Sequence, residues 1–126
     1  VTLPLADKWV LTPQEQDAIR VATDAYNGTI KTLADANGLA FVDFNKVLQE
    51  GATSGLKFDR YILTTDLVTG GLVSLDGVHL TARGYALMAN KFLEAIDETY
   101  GSNFSAATDG LAKADDYPTN YSPSLR

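Results

Sequence analysis

The sequence predicts an α/β fold whose sheet is incomplete on this chain. Three observations carry that expectation. Two long amphipathic helices are bounded by complete start and stop signals. A short, almost wholly apolar run follows the first helix directly, as buried parallel strands do and half-exposed strands do not. No second run of that kind is present, yet a parallel strand needs neighbours on both edges and helices on both faces, a three-layer α/β/α arrangement. The alternative is a small α+β domain that uses residues 1–11 and 61–73 as its additional strands.

Residues 1–11 read as extended, apolar and interrupted by Pro4. The first helix starts behind Thr12, with Pro13 at its first position and Glu15 three residues after the cap, which is a capping box with the favoured N-terminal proline. It runs to about Asn37, where Gly38 supplies a left-handed stop. Ile19, Ala22, Tyr26, Ile30 and Leu33 recur at intervals of three and four along one face, while Asp17, Arg20, Asp24 and Lys31 mark the other. Leu39 to Phe44 is the buried-strand candidate, and residues 45–50 form a short helix ended by Gly51. Residues 51–75 read as a long glycine-bounded loop with room for a small hairpin, and loops of that length in compact domains are often functional. Its Phe58, Tyr61, Leu63 and Leu67 either contact a substrate or pack as a flap. The second long helix follows Thr81 as N-cap, carries Tyr85, Met88 or Ala89, Phe92, Ile96 and Tyr100 on its apolar stripe, and stops at Gly101. From residue 102 the chain is polar, expected to be irregular and to lie on the surface or move freely.

Composition narrows the function classes. The 126 residues carry a formal net charge of −6, with 45% hydrophobic and 21% charged residues, the balance of an ordinary globular protein. An acidic chain without a Lys/Arg cluster repels phosphate backbones, so no nucleic-acid partner is expected. No apolar run approaches the roughly 20 residues of a membrane span, so no transmembrane segment is expected. Residues 1–10 have no continuous apolar core of the signal-peptide kind. The start at Val1 reads as a processed or truncated N-terminus. The absence of cysteine excludes disulfides, thiolate nucleophiles and zinc-thiolate sites. One histidine among scattered carboxylates lacks metal-ligand spacing, and neither metal nor cofactor is expected.

That histidine, His79, stands three residues after Asp76 with Gly77 between them, just ahead of a capped helix. A tight loop of this spacing brings a carboxylate to one imidazole nitrogen, which fixes the tautomer and leaves the other nitrogen as a base. An Asp-Gly turn with a structural histidine is an equally good reading of the spacing alone. In that case the chain is a self-sufficient, non-catalytic binding or interaction domain.

The segment Leu75-Asp76-Gly77-Val78-His79-Leu80-Thr81-Ala82-Arg83-Gly84-Tyr85 resembles the last block of the SGNH (GDSL-type) serine hydrolases, an Asp-x-x-His followed by a small or polar residue and a helix. The strand Gly-Leu-Ala-Phe-Val-Asp, the glycine-bounded insert and the capped helix also resemble the C-terminal half of bacterial members. The resemblance covers residues 1–104 and leaves 105–126 as a polar tail. It implies the C-terminal portion of a flavodoxin-like three-layer fold, with Asp76 and His79 as two members of a Ser-His-Asp triad acting on an ester of a lipid or of an acylated small molecule or carbohydrate. The family's Gly-Asp-Ser block and the Gly and Asn of its oxyanion hole are not recognisable here. Ser54 in Thr-Ser-Gly and Ser102 in Gly-Ser-Asn stand in the wrong order and context. The nucleophile is therefore expected on a missing N-terminal half of the same protein. Bacterial relatives are often exported, which the resemblance extends to the whole protein. An unpaired edge on the 39–44 strand would favour association with another chain.

Overall fold

The computed structural model describes residue 3 and residues 5–120. Residues 1, 2 and 4 of the expected extended segment, and 121–126 of the expected tail, lie outside the described residues. The chain divides into two compact units, Val1–Leu39 and Ala40–Arg126.

In the first unit, Asp7–Trp9 form a 3-10 turn where an extended segment was expected. Helix α1 spans Pro13–Asn37, with both ends where the cap signals put them. Thr12 Oγ1 accepts from the Glu15 amide, and the Glu15 carboxylate accepts from the Thr12 amide at 2.8 Å. Gly38 takes the left-handed conformation (φ 62°) and its N–H closes onto the last turn. Exposed pairs such as Arg20–Asp17 and Lys31–Asp35 decorate the polar face and add at most a few tenths of a kcal/mol each. Ile19, Tyr26, Ile30 and Leu33 form the expected stripe, yet each is more than half exposed. An isolated helix of this kind gains little without burying such a face.

The second unit departs from expectation at its start. Residues 39–43 form no strand, and the edge through which association was expected is not built. The physical reason is the one that makes buried parallel strands recognisable: they need partners on both sides, and no segment among the described residues pairs with this one. Phe44, expected to end the strand, instead opens helix α2, Phe44–Thr53, with the Asp43 carboxylate accepting from the Lys46 amide. Gly51 does not stop this helix. It is buried within it, because a Cβ there would stand 2.9 Å from Leu72 Cδ2.

The glycine-bounded stretch does contain a hairpin. Strands β1 (Leu56–Phe58) and β2 (Tyr61–Leu63) pair antiparallel, with Leu56 opposite Leu63 and Phe58 opposite Tyr61. Leu56, Phe58 and Leu63 point into a core with Leu72, Ala86, Leu87, Met88 and Ala114. Helix α3 spans Ala82–Tyr100, capped by Thr81 and by left-handed Gly101. Its Gly84 is a packing residue, since a Cβ there would stand 2.5 Å from the Leu72 carbonyl oxygen. Thr81 ties the same junction together. Its hydroxyl donates to Gly71 O at 2.6 Å and accepts from Gly84 N, while its amide donates to Leu72 O.

Residues 102–120 are irregular apart from a 3-10 turn at Ala114–Asp116, but residues 111–120 are not a loose tail. Ala114 is fully buried. Asn90, buried on α3, donates to and accepts from Ala112. Arg83 Nε donates to the carbonyls of Ala114 and Tyr117, with its guanidinium 4.0 Å from the Tyr61 ring centre. Asn120 donates to Val73 O. The architecture is thus mixed helix and strand, with three α-helices and one two-stranded antiparallel sheet among the described residues. None of these helices is long and apolar enough to cross a membrane.

Two glycines in helices should respond with opposite signs. Gly84→Ala forces a methyl group against backbone that cannot yield and is expected to cost about 1–3 kcal/mol. Gly28→Ala, in α1 with open space around the added Cβ, should stabilise its helix by about 0.5–1 kcal/mol. Denaturant unfolding of the two variants, followed by far-UV circular dichroism, checks both signs.

Candidate active site

The junction of Leu72 with the start of α3 frames the loop that holds Asp76 and His79. Val73 and Leu80 form an antiparallel bridge, and Thr81 N bonds back to Leu72 O. Inside that bridge the chain closes a ring. Ser74 N donates to His79 O at 2.8 Å, and Gly77 N donates to Ser74 O at 3.0 Å. Gly77 has φ 73°, a left-handed conformation that a glycine adopts without penalty.

Asp76 and His79 are brought together as the spacing requires. Asp76 Oδ2 lies 2.7 Å from His79 Nδ1. The other oxygen, Oδ1, accepts from Ser74 Oγ at 2.7 Å and from the amides of Val78 and His79 at 2.9 Å each. Four donors on one carboxylate favour its charged form. The Ser74 hydroxyl, then the Val78 amide, the His79 ring and the His79 amide hold Asp76 well below the usual carboxylate range, against a small opposing effect of burial. An ionised carboxylate only accepts hydrogen bonds. Nδ1 must therefore carry a proton, and in the neutral ring Nε2 presents its lone pair. Both side chains are at least half exposed, and Nε2 makes no hydrogen bond among the described residues.

Beside this loop lies an open apolar groove of about 770 Å3. Gly77, Val78 and Leu80 supply its wall on the loop side, and Phe44 and Leu48 of α2, Leu67, and Tyr85, Met88 and Phe92 of α3 supply most of the rest. Phe44 and Phe92 meet edge to face, with ring centres 4.8 Å apart. Of the four loop residues considered for substrate contact, only Leu67 reaches the groove. Phe58 and Leu63 are core residues, and the Tyr61 hydroxyl donates to Asp115.

The two candidate serines are elsewhere. Ser54 ends α2, and Ser102 Oγ donates to Asp97. Sequence reasoning passed over Ser74. Its signal was a hydroxyl two residues before an aspartate that needs ordering, a pattern shared by many ordinary turns. It also passed over Arg83, Asn90 and Asn120, whose partners are distant carbonyls that no local pattern announces. No group of three or more His, Asp or Glu side chains suited to a metal ion occurs among the described residues.

Comparison with known protein families, with curated protein sequences and with solved structures finds no match to this chain.

The Asp76 carboxylate makes a pH prediction with a definite sign. Its value in the folded chain lies below the ordinary 3.8, so the stability it contributes is fully present above that ordinary value and is lost as pH falls below it. Wild type should melt above Asp76→Asn at neutral pH, and the gap between the two melting temperatures should shrink as pH is lowered through and beyond 3.8. A gap that widened on acidification would contradict the hydrogen bonding described.

Proposed function

We propose that Asp76 and His79 are the acid–base members of a Ser-His-Asp triad in an SGNH (GDSL-type) ester hydrolase, with the nucleophilic serine and the oxyanion hole supplied by sequence outside these 126 residues. The observation that carries the reading is the 2.7 Å contact of Asp76 Oδ2 with His79 Nδ1, on an exposed loop that leaves Nε2 unbonded among the described residues. A structural histidine in an Asp-Gly turn would be expected to give its ring N–H to a backbone carbonyl or to be buried, and His79 does neither.

In this reading His79 Nε2 takes the proton of the serine hydroxyl as its oxygen attacks the ester carbonyl. It then passes that proton to the departing alcohol, and repeats the cycle with water to release the acid. Asp76 holds the ring in the Nδ1–H tautomer and stabilises the imidazolium. The apolar groove beside Val78 suits the acyl part of such an ester. The finer fold reading, the C-terminal portion of a flavodoxin-like three-layer α/β/α sheet, is supported by two features. The segment 39–43 carries the apolar residues of a buried strand and is not a strand here, and α3 carries apolar side chains on a second face that its own unit leaves open.

The groove also favours a second reading, an apolar-ligand binding module with no chemistry. Activity separates the two. The 126-residue chain alone is expected to hydrolyse p-nitrophenyl acetate no faster than free imidazole does. Strong activity that Ser54→Ala or Ser102→Ala removes would overturn the placement of the nucleophile. In a form of the protein that includes a Gly-Asp-Ser segment, His79→Ala should lower kcat/KM by ~100- to 10,000-fold. An unchanged rate there would leave the binding module standing.

A further inference from the structure

The ring Ser74–His79 is closed by backbone alone, through Ser74 N to His79 O and Gly77 N to Ser74 O. The Ser74 hydroxyl is therefore not required to make the turn, yet it lies 2.7 Å from Asp76 Oδ1. Two of the three donors to that oxygen, the amides of Val78 and His79, come from the C-terminal side of Asp76. Ser74 approaches from the N-terminal side. The χ2 torsion of an aspartate is broad and roughly two-fold, and each further donor on a carboxylate oxygen narrows it.

We propose that Ser74 is a positioning residue for the pair: by donating its hydroxyl hydrogen to Asp76 Oδ1 it fixes the plane of the carboxylate, aims Oδ2 at the imidazole and holds His79 in the Nδ1–H tautomer. The proposal rests on the reading of Asp76 as the group that orients His79. It also fits the charge state of the carboxylate, which the Ser74 hydroxyl does most to maintain. Free imidazole side chains have no such guide, so any loosening of the carboxylate lets the Nε2–H tautomer in. That form presents a proton where the proposed reaction needs a lone pair.

The chain contains one histidine, so a long-range nitrogen–proton correlation spectrum of the 126-residue protein contains one set of imidazole signals, and their nitrogen shifts give the tautomer ratio in the neutral ring. Wild type is expected to be predominantly Nδ1–H. Ser74→Ala should lower the ratio of Nδ1–H to Nε2–H by roughly tenfold, the factor expected for one hydrogen bond to a charged acceptor, with the amide signals of α3 unchanged. Ser74→Thr keeps a hydroxyl and should restore the ratio. A wild-type ratio in Ser74→Ala, or a ratio in Ser74→Thr as low as in Ser74→Ala, overturns the assignment. If Ser74→Ala loses the loop altogether, Ser74→Cys, close in shape with a much weaker donor, is read in its place by the same two outcomes. Asp76→Asn separates this proposal from the one beneath it. If Asp76→Asn keeps the wild-type tautomer, the orienting role of Asp76 falls. If Asp76→Asn lowers the ratio and Ser74→Ala does not, only the role of Ser74 falls.

Discussion

The second unit depends on how closely the first turn of α3 approaches the backbone of Leu72. Gly84 sits where any side chain would strike the Leu72 carbonyl, and Thr81 binds Gly71, Leu72 and Gly84 at one point. This contact does two things at once. On one side it sets the height at which Leu72, fully buried, meets the hairpin and Ala114. On the other it fixes the distance between Val73 and Leu80, the two ends of the loop that carries Asp76 and His79. A core contact and a site geometry thus share one constraint. A shift of α3 by the width of a methyl group would be felt in the core packing and in the spacing of the loop ends, because close-packed interiors do not absorb such shifts.

Helix α3 is apolar on two faces. One, with Ala86 and Leu87, is buried. The other, with Tyr85 and Phe92, opens on the groove and remains about half exposed. Helices at the surface of a globular domain usually carry a single apolar stripe. A helix with two belongs between two layers, and within the second unit only one layer is present. Phe44 and Leu48 of α2 add to the same open face.

The two long helices, α1 and α3, were legible in the sequence, because their limits are set by local chemistry. Thr12, Pro13 and Glu15 make one end of α1 and Gly38 the other, and Thr81 and Gly101 do the same for α3. Non-local features were not legible. The run 39–44 carries the composition of a buried strand, but a strand is made by its neighbours, and composition cannot supply them. Gly51 reads as a stop signal and serves as a packing gap, because glycine has the same letter in both roles. The apolar stripe assigned to α3 is real, but Met88 is its one buried member, and the other buried apolar positions, Ala86 and Leu87, lie on the face chosen by Gly84 and Leu72. In the site, the Asp-Gly-x-His spacing was enough to anticipate the contact between Asp76 and His79. Ser74 went unread since a serine before a turn is common, and the anchoring of 111–120 went unread since Arg83, Asn90 and Asn120 bind backbone carbonyls far along the chain.

The ring at Ser74–His79 has a consequence for the order in which the molecule assembles. Its closing bonds span at most five residues, and the donors to Asp76 lie within three. Contacts this local form early, since loops of about ten residues close in roughly 10–100 ns. Contacts such as Asn90 to Ala112, or Arg83 to Ala114, bridge 22 and 31 residues and must wait for longer closures. The contact of the imidazole with its carboxylate therefore asks for no long loop closure, whereas the frame that holds the ends of its loop does.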